Sequence, residues 1–408
     1  MCKDLMNQSQ HLQRVVDHFT TEQIANNRLQ LKATIFIVRY LAFQAIAFRG
    51  RDESFSSLNR ENFHESLGIV TFWNKKVAEI IEKAPKNATY TSPRIQKEIL
   101  HVFSAKVKKA IREEIGDAKF CIMVDEACDE SMKEQMAVVF RYVDAEGFVK
   151  ERFFGLIHVV DTAALTLKKR IYSLLSQYCL DIQNIRGASC KRNEQLKVAN
   201  ANEIAPLIDL EELEIGSGLN QIGTLQRPGE THSQLQELNY RFNEDAMELL
   251  RLSSALEPRE ALKSFRISDL CLLVKNFYPQ DFTDYDKQVL EKELYHFEHN
   301  VVQDPEFKKL KSLSELSQWL VRTGNSEHYK LVYRMVILVL TLPISTATTE
   351  RAFSAMKLVK TELRNKMEDD FLNDSLMLYI EKDIASTFSL DSIVDDFKDL
   401  KERRVPFS

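Results

Sequence analysis

Glycine and proline are scarce, at 11 and 9 in 408 residues; that is about half the average share or less. Such scarcity argues against a loop-rich sandwich or propeller and for a chain dominated by helices. The six cysteines (Cys2, Cys121, Cys128, Cys179, Cys190 and Cys271) contain no CxxC pair and no metal-ligand spacing with histidine. They read as reduced thiols of a cytosolic or nuclear protein. No stretch approaches the roughly 18 apolar residues that span a bilayer, and MCKDLMNQSQ lacks the apolar core of a signal peptide. A Walker loop, a Rossmann glycine pattern, a Ser/His/Asp elbow and a zinc finger are all missing. Ordinary ATPase, dehydrogenase and hydrolase readings therefore have no support.

What is present is a composition with 44% hydrophobic and 28% charged residues, enough apolar material for a sizeable core. The net charge of −5 is uneven: residues 1–120 carry 19 Lys/Arg against 13 Asp/Glu. Any nucleic-acid contact would favour this basic third. Lys106, Lys108, Lys109 and Arg112 lie on one helical segment and could meet phosphates. Glu113, Glu114 and Asp117 follow at once, and a solvated face is the commoner outcome for such a run.

The hydrophobic period divides the chain. Gln30–Phe48, Asn62–Ala84 and Ser92–Ile115 have helical spacing, the last opening with Pro93. Lys119–Val124, Gln135–Val143 and Phe148–Val160 are rich in Val, Ile, Phe and Tyr, which predicts three strands, the last two a hairpin around Asp144–Gly147. Thr162 opens a helix that runs to about Tyr178. Residues 194–330 return to helical spacing with glycine and proline breaks. The run YRMVILVLTL alone could be a buried strand, but its length and its continuation upstream through Leu331 and Val332 favour a buried helix ending at Pro343, followed by helices from Ala347 to about Lys360 or Arg364 and from Asp370 to about Ala385.

Three groups of residues could carry chemistry or association. Asp125 ends the strand FCIMVD, with Glu126 and Asp129 close behind; carboxylates so placed suit a metal-dependent nuclease, in which paired divalent cations activate water and stabilise the leaving oxygen. A solvated acidic loop is the bland alternative. Glu350, in PISTATTERAFSAM, sits in the first turns of a helix, where the helix dipole favours a carboxylate; reciprocal capping does not explain it, because position 347 is alanine. Finally, Leu331, Met335 and Leu338, then Phe353, Met356, Val359 and Leu363, then Leu376 and Tyr379 form apolar stripes on the last helices. Such stripes are usually internal core, and a surplus face would instead pair with a second copy.

LPISTATTERAFSAMKLVKTELRNKMEDDFLNDSLMLYIEKDI strongly resembles the C-terminal dimerisation region of hAT-superfamily transposases. CIMVDEACDESMKEQMAVVFRYVDAEGFVKERFFGLIHVVDT is similar to the transposase core of relatives described as zinc finger MYM-type protein 1-like or TTF-type zinc-finger proteins. The likeness covers about Arg39 to Ile384. It implies an α+β, predominantly helical fold: a ribonuclease-H-like core, interrupted by a helical insertion and followed by C-terminal helices. It also implies a catalytic Asp, Asp and Glu that bind divalent metal for DNA strand transfer. By motif, Asp125 matches the first Asp and Glu350 the Glu.

The second Asp is expected after NIRG, in a segment of the type Gly-Gln-Gly-Tyr-Asp-Gly-Ala-Ser-Asn-Met. Here Gly187 runs straight into Ala188, Ser189 and Cys190. The resemblance thus implies a truncated core of three antiparallel strands plus helices and a shortened insertion. The N-terminal zinc finger of the relatives is also expected to be missing. The implied organisation is 1–116 helical, 117–192 partial core, 193–326 remnant insertion, 327–386 dimerisation region and 387–408 tail. The implied function is a degenerate or domesticated transposase-like protein, catalytically inactive, nuclear by family, and partnered with itself or related hAT proteins. No cofactor is expected, with Mg2+ or Mn2+ required only if cleavage survives. Residual DNA cleavage and a truncated product without selected function are the alternatives.

Overall fold

The computed structural model describes residues 21–50, 60–85, 89–159, 164–190, 244–263, 265–343, 347–401 and 407. The first part of the expected insertion remnant, residues 193–243, including SQLQELNYRFN, lies outside them. The chain opens with α1 (Thr21–Phe43), α2 (Asn62–Trp73), α3 (Lys75–Lys83) and α4 (Pro93–Ile115). The helix expected over 62–84 is two helices. Asn74 adopts an extended conformation between them, and its side chain accepts the Val77 amide at the start of α3, a role for which asparagine is among the best residues. Pro93 takes the first turn of α4, where its missing N–H costs nothing.

The sheet is built from β1 (Phe120–Cys128), β2 (Glu134–Val143), β3 (Val149–His158) and, after α5 (Ala164–Gln177), β4 (Ile185–Cys190). Its order is β3-β2-β1-β4. The first three strands are antiparallel neighbours, and β4 runs parallel to β1. The expectation of three strands is therefore corrected to four. The sequence IRGASC has one β-branched residue, a glycine and small side chains, so pairing with β1, not local propensity, makes it a strand.

Alternation along β1 assigns the two faces of the sheet. Tyr142, opposite Phe120, donates to Glu114 of α4, so Phe120, Ile122, Val124 and Glu126 face α4. Arg141, opposite Cys121, donates to the carbonyl of Leu340, so Cys121, Met123 and Asp125 face the other way.

That second face is covered by the C-terminal half. The described residues after β4 form α6 (Glu244–Ser253), α7 (Pro258–Ala261), α8 (Ile267–Phe277), α9 (Asp284–Asn300), α10 (Leu313–Arg322), α11 (Asn325–His328) and α12 (Lys330–Thr341). They continue as α13 (Ala347–Val359), α14 (Asp369–Ile380), α15 (Lys382–Thr387) and α16 (Leu390–Asp399). The apolar run before Pro343 is the helix α12, as its length suggests. Two apolar cores result. One joins α1–α5, the sheet and α13–α16, and the other is built by α6–α12 together with Val143 of β2.

The chain passes from one core to the other between α12 and α13, so the unit expected over 327–386 is divided between them. Of the expected tail over 387–408, the described residues 387–401 and 407 are packed into the first core. Ile393, Val394 and Phe397 of α16 are buried, and Phe407 packs edge-on against Tyr90.

The two cores are locked together at the hairpin. Gly147 has φ of 84° and sits so close to α10 that an added Cβ would lie 2.8 Å from the Ser317 carbonyl oxygen. Arg186 of β4 adds a forked ion pair to Asp281, at 2.6 to 2.8 Å, in the loop before α9. Gly147→Ala, which needs both a left-handed backbone and space that backbone occupies, is expected to destabilise the chain by about 1–3 kcal/mol. Gly68→Ala, in α2 with nothing within 4 Å of the added Cβ, should leave stability unchanged or raise it by about 0.5–1 kcal/mol. Denaturant midpoints of the two variants test the contrast.

Candidate functional site

Asp125 lies near the C-terminal end of β1, almost fully buried, and its Oδ1 accepts the amide of Glu126 at 3.0 Å. It faces the layer formed by α13, which packs on β1, β2 and β3. Glu350 is in the first turn of that helix and is exposed. The fold thus puts the first and third acids of the expected triad on one side of the sheet, one buried and one in water. Glu126 points to the opposite face, by alternation, and cannot stand in for a missing acid there.

Where a second acid would enter, the strand supplies none. Cys190 of β4 pairs with Val124, so β4 ends beside Asp125, and the residues it brings there are Ala188, Ser189 and Cys190. The first carboxylate after them, Glu194, lies outside the described residues. Among the described residues no three His, Cys, Asp or Glu side chains form a group that could hold a metal ion. The described donors therefore do not fit a pair of divalent cations, which needs several converging carboxylates.

Asp129, the remaining acid of this loop, has a different employment. Its Oδ2 meets Lys360 Nζ at 2.6 Å and Gln135 Nε2 at 3.1 Å, while its Oδ1 accepts Ser131 N, Ser131 Oγ and Lys133 N. Both side chains of the ion pair are buried, at 0 and 1% exposure. Burial alone would raise the Asp129 carboxyl, but the bonds from Lys360, Ser131 and Gln135 outweigh it and hold the group well below the usual carboxylate range. Lys360 follows the last residue of α13, so this pair ties the end of that helix to the β1–β2 turn. At the other end, Thr348 donates to Glu151 of β3, which also pairs with Arg141 at 2.5 Å. Helix α13 is pinned across the sheet at both ends.

The predicted basic face is mostly consumed. Lys106 reaches Asp396 at 2.5 Å, Arg112 donates to the carbonyls of Tyr178, Cys179 and Gly116, and Lys108 is buried, which lowers its pKa. Only Lys109 is exposed, and Glu113 lies 3.9 Å from it. The surplus positive charge of the N-terminal third serves internal docking. Arg28 and Lys32 meet Asp391, Arg28 also meets Asp395, and Lys97 meets Glu368. These partly exposed pairs contribute little individually, but together they orient α14 and α16 on α1 and α4.

The predicted association face also changes meaning. Leu331, Met335 and Leu338 are buried in the second core, and Phe353, Met356, Val359 and Leu376 in the first. Tyr379 packs half-buried against the first core. The stripes are core because α13 and α14 complete the sheet's apolar covering. Leu363, 92% exposed, is the exception, and Leu358 at 56% joins it. A single exposed leucine among buried ones has no periodic signature, so sequence pattern could not have separated them.

Comparison with known families gives two matches. Residues 1–196 match the ZMYM1/FAM200 RNase-like domain, and residues 291–384 match the hAT family C-terminal dimerisation region. The second match starts within α9 and ends in α15, so it takes in helices of both cores.

The ion pair yields a direct test. Lys360→Ala or Asp129→Ala leaves one charge buried without its partner and is expected to cost about 3–5 kcal/mol. The double variant should cost clearly less than the sum, because the two changes remove one interaction. Because the Asp129 pKa is depressed in the fold, its contribution is present above the unfolded carboxylate pKa and fades as pH falls below about 4. Urea denaturation of the four proteins at pH 7 and at about pH 3 measures both effects.

Proposed function

The chain is a hAT transposase-like protein, and on that premise we propose that it acts as a catalytically silent, self-associating derivative of that family. The single observation that carries the reading is the end of β4. It reaches the Asp125 end of β1 with no carboxylate among its paired residues, and the neighbouring Asp129 is bound up by Lys360. Metal-assisted phosphoryl transfer depends on charge compensation and positioning by several acids at once. Asp125 and Glu350 are then remnants, Asp125 kept for its place in the sheet and Glu350 for its favourable position at a helix start.

Self-association is the property that the C-terminal match supports. Its surface is read as Leu358 and Leu363, the exposed leucines at the end of α13 and in the turn after it, with the buried stripes acting indirectly by holding α13 and α14 in place. The partner is a second copy or a related hAT protein, and residence in the nucleus follows the family. Among the described residues no helix is long and apolar enough to cross a membrane.

Light scattering on the purified chain is expected to give twice the chain mass. Leu358→Glu with Leu363→Glu should give a folded monomer, with unchanged circular dichroism. Phe353→Asp, by contrast, should unfold the chain, since it buries an unpaired charge. A wild-type monomer at micromolar concentration overturns the association reading. Strand cleavage with Mg2+ or Mn2+ that disappears in Asp125→Asn overturns catalytic silence and restores the nuclease reading.

A further inference from the structure

β3 is an outer strand of the sheet, and an outer strand of ten residues exposes a row of backbone amides unless something covers it. Here α14 and its junction with α15 do so with side chains. Asn373 Oδ1 accepts the Leu156 amide at 2.9 Å, and Glu381 Oε1 accepts the Phe153 amide at 2.7 Å.

The spacing of the two acceptors matches that of the donors. Eight residues of helix rise about 12 Å, and three residues of strand span about 10 Å. The amides are three apart, not two, because the register with β2 shifts at Phe154. Gly155 at that bulge leaves the room: a Cβ there would lie 2.9 Å from Asn373 Oδ1. The helix stands in for a neighbouring strand.

The Glu381 end of this cover is electrically unbalanced. Three carboxylates surround one guanidinium: Arg152 of β3 contacts Glu381 at 3.0 Å, Asp383 of α15 at 2.6 Å and Glu114 of α4 at 3.7 Å. Tyr142 of β2 donates to Glu114. The neighbouring Lys382 lies over the Tyr379 ring, 4.2 Å from its centroid. Glu381 is buried, at 4% side-chain exposure. With every acid ionised the cluster carries two uncompensated negative charges next to a buried group.

We propose that the α14–α15 junction is a proton-dependent cover on the β3 edge: it is closed while Glu381 keeps a proton, loosens when Glu381 ionises, and then frees the Phe153 and Leu156 amides. The carbonyl oxygen of protonated Glu381 still accepts the Phe153 amide, so closure needs no change of partner. Burial pushes the Glu381 carboxyl up to about 7, against the pull of Arg152 and the Phe153 amide. In the open state the same carboxyl has its ordinary value near 4.3. The closed form therefore binds the extra proton between these values. Its advantage is complete below the lower one and lost as pH rises through the upper one. The inference stands apart from the question of catalytic silence.

Hydrogen exchange of the full chain at pH 5.5 and 7.5, corrected for intrinsic chemical exchange, tests it. Protection of the Phe153 amide is expected to fall at least about tenfold over that interval, with Leu156 following because the same helical segment covers both. In Glu381→Gln, which keeps the acceptor and cannot ionise, protection should stay within about twofold across the interval. Asp383→Asn, which removes one neighbouring negative charge, should move the wild-type transition to lower pH and serves if the glutamine variant does not fold. Protection of Phe153 that is independent of pH in the wild type, or that falls equally in Glu381→Gln, overturns the proposal.

Discussion

The attachment of α13 to the sheet is the constraint on which the rest depends. A four-stranded sheet with apolar residues on both faces needs two covers, and α4 supplies only one. The other is α13, whose Phe353, Met356 and Val359 enter the same core as the sheet. Its angle is set by Lys360 on Asp129 at one end and Thr348 on Glu151 at the other. A buried ion pair is poor value as raw stability, since desolvating both charges offsets much of their attraction. It is effective as a register mark, because any other placement of the helix would strand one charge in the core.

This arrangement removes the usual distinction between a catalytic core and a separate association module. The match to the dimerisation region covers residues 291–384, yet α13 and α14 within it build the RNase-like core, and α9–α12 build the second. Association through this region therefore joins two copies by elements that also hold each copy's sheet together. On the proposed association, surface leucines, not core ones, are the positions to alter, because the core ones also hold the fold. The basic N-terminal third belongs to the same economy. Its Arg28, Lys32 and Lys106 meet acids of α16, and its Lys97 meets Glu368 just before α14, which brings the first and last described helices together.

Much of this was legible in the sequence, for identifiable reasons. β1, β2 and β3 carry strong β-branched and aromatic signals, the glycine-containing turn between β2 and β3 is explicit, and the length of the apolar run of α12, with its continuation upstream, favours a helix over a buried strand. Asp125 could be placed on β1 from FCIMVD alone, but not at its end, because the strand continues three residues further to Cys128 by pairing with β2. β4 was not legible, because IRGASC becomes a strand only by pairing with β1, whose partner residues lie 65 or 66 positions earlier. Lys360 was equally hidden. A lysine next to Thr361 reads as surface, and its burial depends on an aspartate 231 residues away. The apolar stripes were legible as apolar but not as core or interface, since periodicity records that a face is covered and not by what.

The central claim is that α13–α16 and the sheet are one cooperative unit. Hydrogen exchange of the full chain at pH 5.5, where the cover on the β3 edge is closed, followed by peptide under conditions where exchange proceeds through unfolding, measures this directly. The account predicts that peptides from β1–β3 and from α13–α14 open with the same free energy and the same denaturant dependence. Exchange of α13–α14 at much lower free energy, with β1–β3 still protected, would contradict it and return the C-terminal helices to the status of a separate module.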